Sequence, residues 1–239
     1  MTRDLPSPIS LAVVVPTRNE ADNLPGLFAS LAAQTAPADR VVVADGGSAD
    51  DTAAVARGLG AEVVVAPGRG RGGQVAAAVA GITADAVLVA HGDMVLPPDA
   101  LASIRRWLAD HPACPGGCLG HRFDRRTLAL RVVEWLDRRR ARRGLAYGDQ
   151  GQFFRTAALG AGGGFPDQSI MEDVELSRRL LALGPPAYLD RPVTVSARRF
   201  ERDGWARAAW ANWRLRRRYR RGGPAACRAI HAAYYRGAE

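Results

Sequence analysis

The feature that most constrains this chain is a unit repeated through its first hundred residues: a short apolar, β-branched run, a polar turn, and then an amphipathic stretch. Residues 9–15 form the first run, ended by Pro16; Leu24, Leu27, Phe28 and Leu31 follow at i, i+3, i+4 and i+7, with Asn19 placed to cap that helix. The pattern returns at 41–44, where Asp45-Gly46-Gly47-Ser48 precedes a helix from about Asp50, with Ser48 and Asp51 resembling a capping box. Residues 62–66 and 86–90 supply a third and a fourth strand. Repeated units of this kind predict an α/β fold: a mostly parallel sheet with helices on both faces.

Beyond Asp99 the order loosens. A helix through Ile104, Trp107 and Leu108 leads to a strand near 119–123, and 128–143 reads as a basic helix ending in a crowd of arginines. A glycine-rich loop spans 160–166, and a helix over 172–183 is stopped by Gly184-Pro185-Pro186. From Gly204 the chain is a basic, aromatic helical tail with a break at Gly222-Gly223-Pro224. At 239 residues this amounts to one domain.

All 33 basic residues are arginine, which removes lysine Schiff-base chemistry and a Walker-type phosphate loop. The net charge of +9 and the planar guanidinium fork point to anionic ligands, nucleic acid or an anionic membrane surface. No apolar run approaches the ~18–20 residues that span a bilayer. Residues 1–8 lack the basic and apolar regions of a secretory leader, so a cytoplasmic location is expected. Cys114, Cys118 and Cys227 make an odd count, and the pair Cys114 and Cys118, without a second ligand pair, makes a poor zinc site.

In open parallel sheets ligands bind beyond the carboxyl ends of the strands. Those loops read Pro16-Thr17-Arg18-Asn19-Glu20, Asp45-Gly46-Gly47-Ser48 and His91-Gly92-Asp93, each carrying a carboxylate. Gly68-Arg69-Gly70-Arg71-Gly72-Gly73 follows the third strand and formally contains a dinucleotide G-x-G-x-x-G, but that fingerprint belongs after the first strand, which argues against a dehydrogenase. Further on stand Tyr147-Gly148-Asp149-Gln150-Gly151, Gly164-Phe165-Pro166 and Met171-Glu172-Asp173.

Together and in this order the motifs resemble the family 2 glycosyltransferases of GT-A fold, over most of residues 9–200. The wording of the later motifs is similar to the small enzymes of the arsenosugar-biosynthesis and selenosugar-synthase group. The resemblance implies a nucleotide-binding half at 9–95, an acceptor half at 96–200 and the helical tail at 201–239. It implies a UDP-sugar donor carrying N-acetylglucosamine or another hexose, with Pro16, Thr17, Arg18, Glu20, Asp45, Gly46, Arg69, Arg71, Gln74 and Asp93 as donor contacts. Ionised Glu20 and Asp45 suit ribose hydroxyls and ring N–H donors; as an alternative, both merely cap helices. Asp173 is the general base, Asp149 the second candidate, and Glu172 its acidic neighbour; alternatively, Glu172 and Asp173 stabilise a helix N-terminus.

The family's Asp-x-Asp, which holds a divalent cation (Mg²⁺ or Mn²⁺) on the sugar diphosphate, is replaced by His91-Gly92-Asp93. The later histidine of that site has no counterpart in Ser196-Ala197-Arg198-Arg199. Metal dependence is thereby put in doubt, and arginine charge is the substitute for a cation on the leaving group. Arg122, Gln150 and Arg198 are expected to contact a small anionic acceptor, selenophosphate being the candidate, with inversion at the anomeric carbon. A polyprenyl or other lipid acceptor is the alternative, served by Trp205, Trp210, Trp213 and Tyr219 among the tail arginines; a helix docked on the core or in a homodimer interface also explains the tail. Nucleic acid is not an expected partner, because Glu20, Asp45 and Asp93 would repel phosphates.

Overall fold

The computed structural model describes residues 9–235; residues 1–8 and the side chain of Trp205 lie outside the described part. Strands β1 (Leu11–Thr17), β2 (Arg40–Asp45), β3 (Glu62–Val65) and β4 (Ala86–Val89) pair in parallel in the order β3-β2-β1-β4. All seven residues of β1 are buried, as a central strand covered on both faces requires. Leu11, Val13 and Val15 enter the core beneath α1 (Leu24–Ala32), α2 (Thr52–Gly58) and α4 (Ala100–Asp110). Ala12 and Val14 face the opposite core, beneath α3 (Gly70–Val79).

The second half departs from simple parallel order. Strand β5 (Gly116–Cys118) and β6 (His121–Phe123) replace the single strand expected near 119–123, because the chain swings out of the main sheet at Gly120. That residue has φ +88°, and a Cβ on it would stand 2.6 Å from the Tyr188 hydroxyl, so both its backbone and its neighbour require glycine. Helix α5 (Leu128–Ala141) and a 3₁₀ turn (Gly148–Gln150) then lead to β7 (Gln152–Arg155), which inserts antiparallel between β4 and β5. After α6 (Thr156–Ala161) and α7 (Glu172–Leu183), β8 (Ala187–Tyr188) completes the seven-stranded sheet beside β5. Strand β9 (Val193–Val195) pairs with β6 in a separate two-stranded sheet.

The helix over 172–183 forms as its pattern predicts, with Leu176 and Leu180 one turn apart and buried; each contributes roughly 1.5–3 kcal/mol by leaving water. Helix α8 (Arg198–Asp203), α9 (Trp205–Gly222), a 3₁₀ turn at Gly223–Ala226 and α10 (Cys227–Tyr235) form the tail. Tyr219, Cys227 and Ile230 bury against Ile170, and the Tyr219 hydroxyl donates to Glu175 at 3.0 Å, so this part of the tail is docked on the core. Trp210 and Trp213 remain exposed, stacked beneath Arg214 and Arg217. No helix among the described residues is long and apolar enough to cross a membrane. The three cysteines are free and buried.

Candidate active site

The sheet order turns around between β1 and β4, the place where open α/β sheets bind ligands beyond the carboxyl ends of their strands. The loops after β1 and β2 are stitched together before any ligand arrives. Asn19, at φ +56°, accepts a hydrogen bond from the Ala49 amide and donates its own amide to the Ser48 hydroxyl. It therefore does not cap α1, which begins later, at Leu24. The Asp45 carboxylate, almost fully buried, accepts from the Gly47 and Ser48 amides and the Ser48 hydroxyl, so Ser48 is spent on Asp45 and not on a helix cap. The Glu20 amide donates to Thr52, while its carboxylate takes 2.5 Å from the Asn23 amide. Burial raises the Glu20 pKa above the usual carboxylate range, against the Asn23 bond, and the neighbouring Asp93 adds to the rise.

Thr17 ends β1 with its carbonyl accepting the Gly46 amide, and its hydroxyl is buried without a hydrogen-bond partner among the described residues. Gln74 lies directly over Gly46: a Cβ there would fall 1.8 Å from the Gln74 amide nitrogen. The glycines of the Arg69–Arg71 run have a protein neighbour as well. A Cβ on Gly70, which has φ +69°, would stand 2.5 Å from Ser169 backbone, and one on Gly72 would lie 2.3 Å from the Gln168 carbonyl. The close backbone approach read from the sequence is thus made, at these two positions, to the segment before α7. Arg69 pairs with Asp167 on the surface, and Arg71 pairs with the buried Glu172.

Beside these loops opens a cavity of about 460 Å³. Its walls carry Arg71, His91, Asp93, Asp149, Asp173 and, from α5 and α9, Arg140 and Arg216. Asp173 is aimed by two backbone donors, the Gly148 amide at 2.8 Å and the Val174 amide at 2.7 Å. Burial pushes Asp149 up, and its Oδ1 has no hydrogen-bond partner among the described residues. Glu172 is likewise raised by burial, against the pull of Arg71. His91, half-buried and beside the Arg71 guanidinium, is lowered to about 3 by loss of water around the ring and by that charge, and is therefore a neutral imidazole at physiological pH. Asp93 is raised by burial, with Arg198 opposing.

The structure thus brings Arg71, His91, Asp93, Asp149 and Asp173 to one cavity, and gathers Thr17, Glu20, Asp45, Gly46 and Gln74 around the carboxyl ends of β1 and β2. Pro16 is buried within β1, opposite Ala44, and Arg18 is exposed. Arg198 bonds Ser196 and Asn23 at the edge of the Glu20–Asp93 cluster. Arg122 does not line the cavity: it lies on the outer side of β6 and bonds Thr194. Gln150 is buried and accepts from Arg140 and from the Tyr147 amide, so its carboxamide oxygen holds the turn together. Sequence reasoning missed the α5 wall. Val133, Leu136, Asp137 and Arg140 all line the cavity, and their i, i+3, i+4, i+7 spacing was available as a signal that these polar residues share an apolar face. Asn212 and Arg216 of α9 carried no comparable mark.

A family-type cation would rest on His91 and Asp93. These two do not join a third histidine, cysteine or acid in any metal-capable group among the described residues, and Arg71 places positive charge against His91. The donor set is therefore a poor match for that position, and Arg71 is the positive charge present there.

The glycosyl transferase family 2 model matches residues 12–160, well over half of the chain. No curated protein sequence matches it significantly. Among solved structures, the mannosyltransferase PcManGT from Pyrobaculum calidifontis, in complex with GDP-Man and Mn²⁺, aligns at TM-score 0.68 and 23% identity, covering 96% of this chain and 71% of that one. S. aureus TarS 1–349 aligns at TM-score 0.64 and 19% identity over 79% of this chain, which spans 61% of that fragment. Glucosyl-3-phosphoglycerate synthase from Mycobacterium tuberculosis, in complex with Mn²⁺, UDP and glucosyl-3-phosphoglycerate, aligns at TM-score 0.55 and 22% identity, covering 79% of this chain and 70% of that one. These likenesses establish the GT-A fold. With the family match spanning the stitched loops, β4 and the cavity turn at Gly148–Gln150, the chain belongs to glycosyl transferase family 2.

Proposed function

We propose that the chain transfers a hexose, N-acetylglucosamine in the first instance, from a UDP-sugar to a small anionic acceptor with inversion. The observation that carries this reading is the cavity itself, where Arg71, Arg140 and Arg216 share the walls with Asp149 and Asp173. The uridine side of the donor is assigned to Thr17, Glu20, Asp45 and Gly46. Support comes from solved family structures: TarS 1–349 has been seen with UDP-GlcNAc, and the M. tuberculosis synthase with a phosphorylated small product.

In the reaction, the acceptor heteroatom attacks the anomeric carbon as the bond from that carbon to the diphosphate oxygen breaks. The bonding pair departs with UDP, whose new charge is stabilised by Arg71. An acceptor that arrives protonated passes its proton to Asp173, whose two backbone donors fix its direction and leave each oxygen a further lone pair, whereas a pre-ionised one needs no such transfer. An acceptor such as selenophosphate is already ionised near neutral pH, and its phosphate oxygens match the fork of Arg140 or Arg216.

A lipid acceptor is the second reading. On α5, Leu128, Val132, Trp135 and Leu136 are exposed near Arg138, Arg139 and Arg142, and Trp210 and Trp213 are exposed on α9. Leu136 also lines the cavity, so this apolar face reaches its mouth. The deciding experiment is calorimetric titration with UDP-N-acetylglucosamine and UDP-glucose, followed by product detection with selenophosphate and with a polyprenyl phosphate in anionic vesicles. Binding of neither donor would overturn the UDP-sugar assignment. Turnover confined to vesicles would replace the small acceptor by the lipid one.

A further inference from the structure

Beside the cavity, three elements bring together groups that no step above uses. His121 projects inward from β6, Asp137 from α5, and Asp149 from the 3₁₀ turn. One ligand atom from each lies within 4.8 Å of the other two. The His121 side chain is 1% exposed, yet neither ring nitrogen has a hydrogen-bond partner among the described residues; Nε2 is 3.8 Å from the Asp137 carboxylate, too far for a hydrogen bond. Oδ1 of Asp149 is buried and unpartnered in the same way. Buried polar atoms are almost always satisfied, so an unpartnered imidazole beside an unpartnered carboxylate oxygen marks the place of a missing partner.

We propose that His121, Asp137 and Asp149 form a divalent-cation site. One imidazole and two carboxylates suit Mn²⁺ or Zn²⁺ better than Mg²⁺ or Ca²⁺, which favour all-oxygen shells. Bonds of ~2.0–2.2 Å set ligand–ligand distances of roughly 3–3.6 Å, so sides that approach 4.8 Å must shorten by about an ångström or more as the ion binds. The surroundings resemble a supporting shell. Arg140 holds the other oxygen of Asp137, stacks on Tyr147 at 3.4 Å from the ring centroid, and bonds Gln150, which fixes the turn that carries Asp149. Asp137 and Asp149 both line the cavity, so an ion here keeps coordination positions open towards an anionic acceptor. Asp149 is then a ligand and not a free base, which leaves Asp173 as the base. The rival arrangement is His121 packed against the two carboxylates with no ion between them.

The test uses the full chain stripped with chelator and titrated with Mn²⁺, free ion being read by electron paramagnetic resonance without nucleotide. One ion per chain is expected, weakened at least ~10²-fold by His121→Ala and by Asp149→Asn, and unchanged by Asp93→Ala. Should His121→Ala fail to fold, the near-isosteric Asp149→Asn decides, with its melting temperature measured alongside. Absence of Mn²⁺ and Zn²⁺ binding to the native chain overturns the proposal in favour of the ion-free pair. So does binding that survives Asp149→Asn or that vanishes with Asp93→Ala. The readout is independent of donor identity, so it stands whether or not UDP-sugars bind.

Discussion

Removing the Arg71 guanidinium should unfold the chain more readily, and in a manner that depends on pH. Arg71→Met keeps most of the stem but leaves the Glu172 carboxylate, 5% exposed in its side chain and with Oε2 already unpartnered, without its cation. Breaking a fully buried pair costs ~3–5 kcal/mol; because Arg71 is 29% exposed, a value of ~2–4 kcal/mol is expected here. For a chain of this size that lowers the melting temperature by on the order of 10 °C. Glu172 has its folded pKa raised by burial, and loss of Arg71 raises it further. The folded variant then binds a proton that the unfolded chain has released, so its stability is fully present below the unfolded value of 4.5 and falls as pH rises through the folded one. Thermal melts of native and variant chains at about pH 5.5 and about pH 8 should show the smaller deficit at the acid end. Glu172→Gln on the same background removes the charge and should recover most of the loss at about pH 8. A variant melting within ~2 °C of the native chain, or with an equal deficit at both pH values, would refute the pairing as described.

With an acceptor that arrives protonated, Asp173→Asn should lower turnover by roughly 10²–10⁴-fold while calorimetric UDP affinity holds; with a pre-ionised acceptor such as selenophosphate the rate should be nearly unchanged. Gly72→Ala should destabilise by ~1–3 kcal/mol or more, since its methyl meets the backbone carbonyls of Pro166 and Gln168, and chemical denaturation would measure it. Gly46→Ala meets only the mobile end of Gln74 and a more distant carbonyl, so it should cost less in the same assay and be rescued by Gln74→Ala. If Glu20 binds the donor as a carboxylate, UDP affinity should begin to fall at a pH above its ordinary 4.5 as the medium is acidified, because its pKa is raised; titration across that range checks it. His91, lowered to about 3, should contribute no limb near 6.5 to the pH–rate profile, and His91→Gln should leave the shape of that profile unchanged.

The first half of the fold was legible because β1, β2 and β4 are interior strands rich in buried apolar residues, and each is followed by a loop of distinctive polarity. The second half was not, since short strands such as Gly116–Cys118 carry almost no side-chain pattern and are placed by what they pair with. Nothing local in Gln152–Arg155 announces that it runs against its neighbours, although Phe153 and Phe154 fill the two opposite cores. In the site, the loop acids at Glu20, Asp45 and Asp93 could be read because strand ends announce them. Asp137 and Arg140 sit inside a helix whose arginines look like a solvated face, and only tertiary packing reveals which of them turn inward.

The antiparallel β7 also sets a timetable for synthesis. Strand β4 is apolar throughout, and the edge that β7 will cover is completed only roughly 60 residues after β4 has been made. At ~5–20 residues per second the ribosome leaves that edge open for several seconds, while the parallel half beside it is already able to form. A nascent chain halted in this interval presents a bare sheet margin to its neighbours on the polysome. Slow codons placed between Leu96 and Gly151 should therefore raise aggregation more than the same codons placed after Arg155.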